Sequence, residues 1–416
     1  MKIRSGQILT LLTLFSSALF SIITPMSQEI SNELNFQENQ VALINSLFLM
    51  VGALSSLFWA LLGDYFTRKL LLIISTLEWA LLTFLTMFAT NFYSLLIFQL
   101  ITAIGFGASL PLVFSLTVDL IEPENRGKRF GSLSAVYVLG NGLGQILSGF
   151  LIDYYIWQIP LLIISIGGFM CTGLLFFLIE PKKGEKDELY HTIEVGYKIK
   201  LKDLRQLWRI KTTLLILLFN FVMFISIGAI SSFFISMLKN DYGLSSPLAT
   251  IFLIIVFGSQ VPSGPYFGKL GDRKYNTDKN GRIKIIVFCL IFGSILYIIA
   301  FSFYFISTEL LFAIIFLMFS FGGAFLFGGI DPLTQATLSI NPPQIRSTIF
   351  SVNYLTYTFG RSISLLLLSQ FFLTFNNSYS PGYLILSIMA LSCSIILYPI
   401  LKLLPQDIEK IKSKQV

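Results

Sequence analysis

GDYFTRK (Gly63–Lys69) is a short charged turn between two apolar runs, each near the roughly 20 residues that cross a bilayer as a helix. A close copy returns much later as GKLGDRKY (Gly268–Tyr275), again between hydrophobic stretches. Two copies of one loop, each wedged between membrane-length segments, point to a duplicated membrane protein.

Composition agrees. The 416 residues are 55% hydrophobic and 12% charged, whereas soluble domains carry about 25% charged residues. A soluble core has no use for this much apolar surface, so a polytopic membrane protein is expected. Forty-one Phe and 17 Tyr suit lipid-facing and interfacial positions. Cys171, Cys289 and Cys393 each lie inside an apolar run, where a thiol behaves as a small hydrophobe. His191 is the one histidine. That excludes zinc-type Cys/His spacing and Ser-His-Asp chemistry, so no metal, no cofactor and no enzymatic activity are expected.

Apolar runs place helices near 7–27, 41–62, 70–90, 94–120, 129–151 and 159–180. A polar segment, 181–212, follows, and then helices near 213–238, 247–270, 283–307, 310–338, 347–374 and 382–404. The expected fold is all-α, with twelve transmembrane helices in two pseudo-symmetric six-helix bundles. The expected domains are 1–180, a linker at 181–212, and 213–416. With the N-terminus in the cytoplasm, 27 of the 29 Lys and Arg residues fall on the cytoplasmic side. The exceptions are Lys239 and Arg361, and the first outside loop is acidic, with Glu29, Glu33 and Glu38. This positive-inside bias predicts both termini in the cytoplasm. It also accounts for the net charge of +7 through topology and anionic headgroups, so no nucleic-acid partner is expected. The absence of a cleavable presequence favours the cell membrane.

In the linker, LKDLRQLWRIK (Leu201–Lys211) sets Leu201, Leu204, Leu207 and Trp208 on one helical face, as in an amphipathic helix lying on the inner leaflet. The halves also align beyond the charged turn. Gly63–Asp64 corresponds to Gly271–Asp272, and Arg126 precedes Gly140 by the 14 residues that separate Arg346 from Gly360. Both arginines open an odd-numbered helix after a Pro-containing loop, which argues for two parallel six-helix repeats.

The chain therefore resembles the major facilitator superfamily over essentially its whole length. The residues that carry the resemblance are Gly63, Asp64, Arg68 and Lys69, with Gly268, Gly271, Asp272, Arg273 and Lys274 in the second half. A narrower resemblance is to the spinster-like branch, which exports lysolipids and sphingosine phosphate. It rests on GDYFTRKLLL, Glu78–Trp79, IGFGAS (Ile104–Ser109), DLIEPENRGK (Asp119–Lys128) and GNGLGQILSG (Gly140–Gly149). In helix 11, Gly360–Arg361 stands where that branch usually carries an acidic residue.

The resemblance implies a cytoplasmic gate at the inner ends of helices 2 to 5, with Asp64, Arg68, Asp119 and Arg126 as members and Gly271, Asp272, Arg273 and Arg346 as the second-half counterparts. Partly desolvated charges of this kind gain from pairing, and Asp64 and Asp119 serve no positive-inside purpose. Arg361 lies near mid-membrane, where an Arg costs about 2.5–3.5 kcal/mol on insertion scales. It is read either as the anchor of an anionic substrate group or as half of an ion pair with Glu78 or Asp331. Glu78 in helix 3 and Asp331 beside Pro332 are the candidate coupling carboxylates, with structural roles as the alternative. The resemblance puts the cavity on helices 1, 4, 7 and 10 and the gates on 2, 5, 8 and 11. There the costly-to-bury polar groups Gln99, Asn141, Gln145, Asn220, Asn353 and Tyr357 join Arg361 as candidate substrate ligands. The expected function is secondary active transport by alternating access. The expected cargo is an amphipathic anion or zwitterion such as a lysophospholipid; the alternatives are a proton-coupled drug or small-metabolite exporter and, behind it, a non-transporting membrane receptor of the same fold. Expected partners are the small-molecule or lipid substrate and membrane lipids, and the protein is expected to act as a monomer.

Overall fold

The computed structural model describes residues 5–36, 39–151, 156–182, 210–341, 346–376 and 378–413. The amphipathic stretch expected at Leu201–Lys211 falls almost wholly outside the described residues, and so does the side chain of Asp64.

Twelve helical spans follow in chain order. The first six are α1 (Ser5–Ser21), α2 (Asn39–Tyr65), α3 (Arg68–Thr86), α4 (Phe92–Phe106 with Ser109–Leu120), α5 (Arg126–Leu151) and α6 (Gln158–Leu175). The second six are α7 (Lys211–Ile227 with Phe234–Tyr242), α8 (Ser246–Gly258 with Gln260–Thr277), α9 (Gly281–Ser302), α10 (Leu310–Phe327 with Ile330–Leu338), α11 (Arg346–Thr374) and α12 (Ser380–Ser392 with Ser394–Ser413). A short helix, Ser27–Glu33, lies in the acidic loop after α1. In a bilayer every backbone group must find its partner within the protein, which is why the spans are helical. Their faces follow the same solvent logic. On α3, Leu70, Ile74, Leu77 and Leu81 form an exposed apolar stripe, while Leu72, Ser75, Thr76, Trp79, Ala80 and Thr83 on the other side are fully buried.

Two expectations from the sequence need correction. The first charged repeat is a turn only at Phe66–Thr67, inside Gly63–Lys69, and the second is not a turn at all. Gly63–Tyr65 forms the last turn of α2, and Gly268–Tyr275 lies wholly within the second segment of α8. Lys, Arg and Asp tolerate helix, so leaving the apolar layer does not end one. The chain reverses later, at Phe66–Thr67 and at Asp278–Asn280, where the Asp278 carboxylate accepts the Asn280 N–H (2.9 Å) in an Asx turn. The second correction is that five apolar runs read as continuous are interrupted, α12 among them at Cys393. Gly107–Ala108 breaks α4, residues 228–233 unwind α7, and Gly328–Gly329 breaks α10, with a milder irregularity in α8 at Ser259.

Neighbouring helices take up the polar groups at these breaks. The Ile104 carbonyl accepts from Ser55 Oγ (3.0 Å) and Trp59 Nε1 (2.7 Å) of α2. In α7 the Ala229 N–H donates to Ser364 Oγ of α11 (2.9 Å), and the Tyr383 hydroxyl of α12 lies 3.3 Å from the carbonyls of both Ala229 and Ile230. The C-terminal end of α7 is tied to the start of α12 by Asp241, which accepts from Ser380 N (2.7 Å), Ser380 Oγ (2.6 Å) and Tyr379 N (3.1 Å).

The described residues fall into two compact units. One lies within Met1–Glu122, Val136–Lys200 and Pro342–Leu355, and the other within Pro123–Ala135, Leu201–Asn341 and Thr356–Val416. The first turns of α5 thus belong to the second unit, and the first turns of α11 to the first.

Candidate functional site

In the first unit the charged ends of α3, α4 and α11 meet. Asp119, near the end of α4, accepts from Arg68 Nη1 (2.6 Å) and from Arg346 Nη1 (2.8 Å). All three side chains are completely buried. Arg68 Nη1 also donates to Ser115 Oγ (3.0 Å), and its Nε to Glu180 Oε1 (3.3 Å). Glu180 in turn accepts the backbone N–H groups of Arg68 (2.9 Å) and Lys69 (3.2 Å), placing a carboxylate on the first turn of α3. The helix dipole favours an anion there. Two guanidiniums and two carboxylates balance in charge, and Asp119 and Glu180 each accept more than one hydrogen bond, which helps to make buried ions tolerable. The Lys69 ammonium leaves the cluster and donates to the Phe176 carbonyl (2.7 Å).

The second unit answers with a different construction. Asp272 of α8 accepts from the first-turn amides of α5, Gly127 N (3.0 Å) and Lys128 N (2.8 Å), and from Arg282 Nη2 of α9 (2.7 Å). A carboxylate thus sits directly on the positive end of α5. Arg282 also donates to the carbonyls of Pro123 and Ala336 and lies over the Tyr275 ring, 4.1 Å from its centroid. Arg126 donates to Ser339 Oγ (3.3 Å) near the end of α10. Gly271 packs against Leu333, so closely that a Cβ would lie 2.2 Å from Leu333 Cδ2. Arg273 is exposed, and Gly63 is buried in the last turn of α2. Asp278 sits in the α8–α9 turn, where the hydrogen bond from Lys284 and then the Asn280 amide hold its carboxyl below the usual carboxylate range.

A separate polar group gathers where α11 passes the unwound part of α7. Arg361 packs its Cα and Cγ against Gly228, and its Nη2 reaches Ser232 Oγ (3.4 Å). One turn before it, Tyr357 lies against Phe224, with ring centroids 5.0 Å apart. Gly360 allows the approach, since a Cβ there would lie 2.5 Å from the Phe221 carbonyl. The result is a guanidinium on helical α11 that reaches a hydroxyl of the non-helical part of α7, one turn from an aromatic pair. Neither carboxylate considered as a partner for Arg361 is seen to pair with it. Asp331 accepts from Ser134 Oγ (3.1 Å) and Gln335 Nε2 (3.2 Å), and Glu78 lies in the other unit, against α4.

The remaining candidates are dispersed. Gln99 is buried and donates to Thr86 (3.2 Å), which joins α4 to α3. Asn141 donates to the Tyr137 carbonyl one turn back, and its own carbonyl accepts from Ser21 Oγ (2.8 Å). Gln145 is exposed. Asn220 is buried in α7, and Asn353 is buried in the part of α11 that belongs to the first unit. Sequence reasoning passed over Glu180, Arg282, Ser339, Ser232 and Ser364. Glu180 and Arg282 carried a signal, each being a charge at the edge of an apolar run, whereas the serines carried none.

The family model described as Major Facilitator Superfamily matches residues 9–365. Multidrug resistance protein MdtG of Salmonella typhimurium is 30% identical over 315 residues, 75% of this chain and 73% of that protein. MdtG of Salmonella arizonae is 30% identical over 318 residues with the same coverage. Two solved structures share the fold. The proton:xylose symporter XylE matches with a TM-score of 0.70 at 15% identity, over 95% of this chain and 94% of that one. FucP in its outward conformation matches with a TM-score of 0.72 at 13% identity, over 96% and 98%.

Proposed function

The chain belongs to the Major Facilitator Superfamily and is a multi-pass transporter of the cell membrane; from that premise we propose that it exports amphipathic organic anions or zwitterions of drug-like size by alternating access. Arg361 carries this reading. A guanidinium near mid-membrane is retained at a cost of a few kcal/mol unless it faces a partner or a cargo. Here it lies beside Ser232 and one turn from the Tyr357–Phe224 pair. A planar cation next to an aromatic wall suits a molecule with an anionic group and an apolar body. The names of the MdtG relatives favour drug-like cargo. A lysophospholipid, the cargo of the spinster-like resemblance, belongs to the same chemical class and is the second member to test.

In the same reading the six-helix halves, 1–180 and 213–416, move about a central site as a monomer, with both termini and the 181–212 linker in the cytoplasm. Charge supports that orientation, and the two sets of ion pairs support the movement. Arg346–Asp119 and Asp272 on the start of α5 each join residues from different halves of the sequence. Contacts of this kind hold one conformation and must part in another.

The test is ligand-induced thermal stabilisation of the detergent-solubilised full chain, using an anionic drug, a cationic drug, a lysophospholipid and a sugar. A ligand at 100 times its dissociation constant stabilises the folded state by about 2.7 kcal/mol. Stabilisation by the anionic drug or the lysophospholipid that disappears in Arg361→Ala is the expected result. Stabilisation only by the cationic drug or the sugar, unchanged in Arg361→Ala, overturns it.

A further inference from the structure

Glu78 lies midway along α3, and its side chain is turned toward α4 at Gly105. Both carboxylate oxygens are buried, and among the described residues they meet no side-chain donor and no cation. This contrasts with Asp119, Glu180, Asp272, Asp241 and Asp331, each of which accepts from a side-chain donor, whereas the donor beside Glu78 is the backbone N–H of Gly105. The seat is built closely around the carboxyl. A Cβ at Gly105 would lie 1.6 Å from Glu78 Oε2 and 2.6 Å from the Ser75 carbonyl oxygen, so position 105 accepts only glycine while Glu78 is there. Carboxyl and carbonyl crowd the same side of Gly105. A carbonyl oxygen accepts from the O–H of a carboxylic acid and repels a carboxylate.

The position is also mechanically specific. Gly105 is two residues before the Gly107–Ala108 break of α4. Its neighbour Ile104 offers the carbonyl that Ser55 and Trp59 of α2 hold. A Cβ at Gly107 would lie 2.2 Å from both the Gly52 carbonyl and Ser55 Oγ, so α2 grips the bend from one side while Glu78 of α3 rests on it from the other.

Few other charges compete. The helices packed around α3 are α2, α4 and α6. Their titratable groups are Asp64 and Tyr65 on α2, Tyr93 and Asp119 on α4, and Cys171 on α6, with Glu180 just beyond. On α3 itself, Arg68 and Lys69 are ten and nine residues from Glu78, about 15 Å along the axis. Asp119 and Glu180 are both engaged at that far end by Arg68.

We propose that Glu78 is a proton-carrying site that controls the bend of α4, separate from the Arg361 region. The step is a proton transfer alone: the carboxylic O–H breaks, an O–H forms on a water at one face of the membrane, and the electron pair stays on the carboxylate. The carboxylate left behind is a buried charge with no side-chain donor, and its departure from the seat on Gly105 frees α4 to change its angle at Gly107–Ala108. The inference deepens the export reading by naming the coupling ion as the proton and its carrier as Glu78.

The test uses the full-length protein and has a readout that needs no cargo. Infrared difference spectra between mildly acidic and alkaline buffer should show a carboxylic-acid C=O band that vanishes on alkalinisation in the wild type and is absent in Glu78→Gln. The band should persist in Asp331→Asn. A band identical in wild type and Glu78→Gln overturns the proposal. Should Glu78→Gln not fold, Glu78→Asp is read instead, and its shorter side chain, drawn back from Gly105, should shift the same band. In proteoliposomes carrying an imposed proton gradient, Glu78→Gln should lose gradient-driven transport and keep cargo exchange. Gradient-driven transport at the wild-type rate in that variant also overturns the proposal. Failure of the wild type to move any cargo of the panel counts against the export reading, and the infrared result then decides Glu78 alone.

Discussion

Gly131 of α5 and Gly264 of α8 meet backbone to backbone: a Cβ on Gly131 would lie 2.1 Å from the Gly264 carbonyl oxygen, and one on Gly264 2.7 Å from the Gly131 oxygen. One turn along, Gly127 and Gly268 repeat the contact, at 2.8 and 2.2 Å. Two Gly-x-x-x-Gly stripes therefore face each other, GKRFG on α5 and GPYFG on α8. Helices in membranes associate through close backbone approach of this kind, because lipid supplies no hydrophobic drive between them. The same contact leaves room for Asp272 to reach the first amides of α5. Further along, α5 uses Gly140 and Gly144 on α1, where a Cβ would lie 2.4 Å from the Leu14 and Ala18 carbonyls respectively.

Gly131→Ala should therefore force α5 and α8 apart. Overpacking of this kind costs about 1–3 kcal/mol, and the neighbouring atom here is backbone, which cannot rotate away. The melting temperature of the purified protein should fall clearly, and transport with it. Gly142→Ala is the control, since nothing lies within 4 Å of a Cβ at that position and its melting temperature should stay at the wild-type value. Equal effects at the two positions would count against a tight α5–α8 contact.

Removing Asp119 should cost more than removing either arginine that it binds. Asp119→Asn takes from two buried arginines the carboxylate that they share, and leaves Glu180 on Arg68. Breaking a buried pair from one side costs about 3–5 kcal/mol, because a charge is left uncompensated. Arg346→Gln keeps Asp119 paired to Arg68, and the surplus negative charge can be borne by Glu180, the one member of the cluster with solvent access. Thermal denaturation should rank Asp119→Asn well below Arg346→Gln, and the reverse order would show that Arg346 does not share Asp119.

The spans and their order were legible because a bilayer demands about 20 apolar residues whatever else the sequence says. The charged repeats were legible as motifs but not as helix: polarity marks where Gly268–Tyr275 leaves the apolar layer, while helix propensity carries α8 on to Thr277. The break at Gly328–Gly329 had a signal in its paired glycines. The unwinding of α7 at 228–233 had almost none, since GAISSF differs little from helical membrane sequence and its stability comes from Ser364 and Tyr383, more than a hundred residues away. The charged cluster was half visible. Arg68, Asp119 and Arg346 stood out as charges at helix ends, but that one carboxylate serves both arginines depends on how α3, α4 and α11 pack.

The α7 break gives a test of its own. Ser364→Ala removes the acceptor of the Ala229 N–H, and a buried donor left unsatisfied costs about 1–3 kcal/mol. Tyr383→Phe removes a hydroxyl that two carbonyls share at 3.3 Å each, and those carbonyls lose less because the bonds are long. Ser364→Ala should thus lower the melting temperature more than Tyr383→Phe. Hydrogen exchange should show faster exchange confined to residues 228–233 in both variants. Acceleration spread evenly over α7 would mean that the break is not held by these two side chains.

The two arginines that open α5 and α11 are not equivalent. Arg346 meets a carboxylate, Asp119, at 2.8 Å, and Arg126 meets a hydroxyl, Ser339, at 3.3 Å. Asp119 and Ser339 occupy corresponding places, each seven residues before its arginine. Ser339→Asp should turn the neutral Arg126–Ser339 bond into a charge-assisted one. Charge-assisted bonds are roughly twice as strong as neutral ones, and Arg126 and Ser339 are both buried, so the new pair should hold this conformation more firmly. The expected signature is a higher melting temperature together with slower turnover in proteoliposomes. In the double variant Ser339→Asp/Arg126→Gln the gain should disappear and stability should fall below wild type, because the introduced carboxylate is then buried without its partner. A Ser339→Asp protein that melts lower than wild type while Arg126 is intact would show that the two positions do not face each other closely enough to pair.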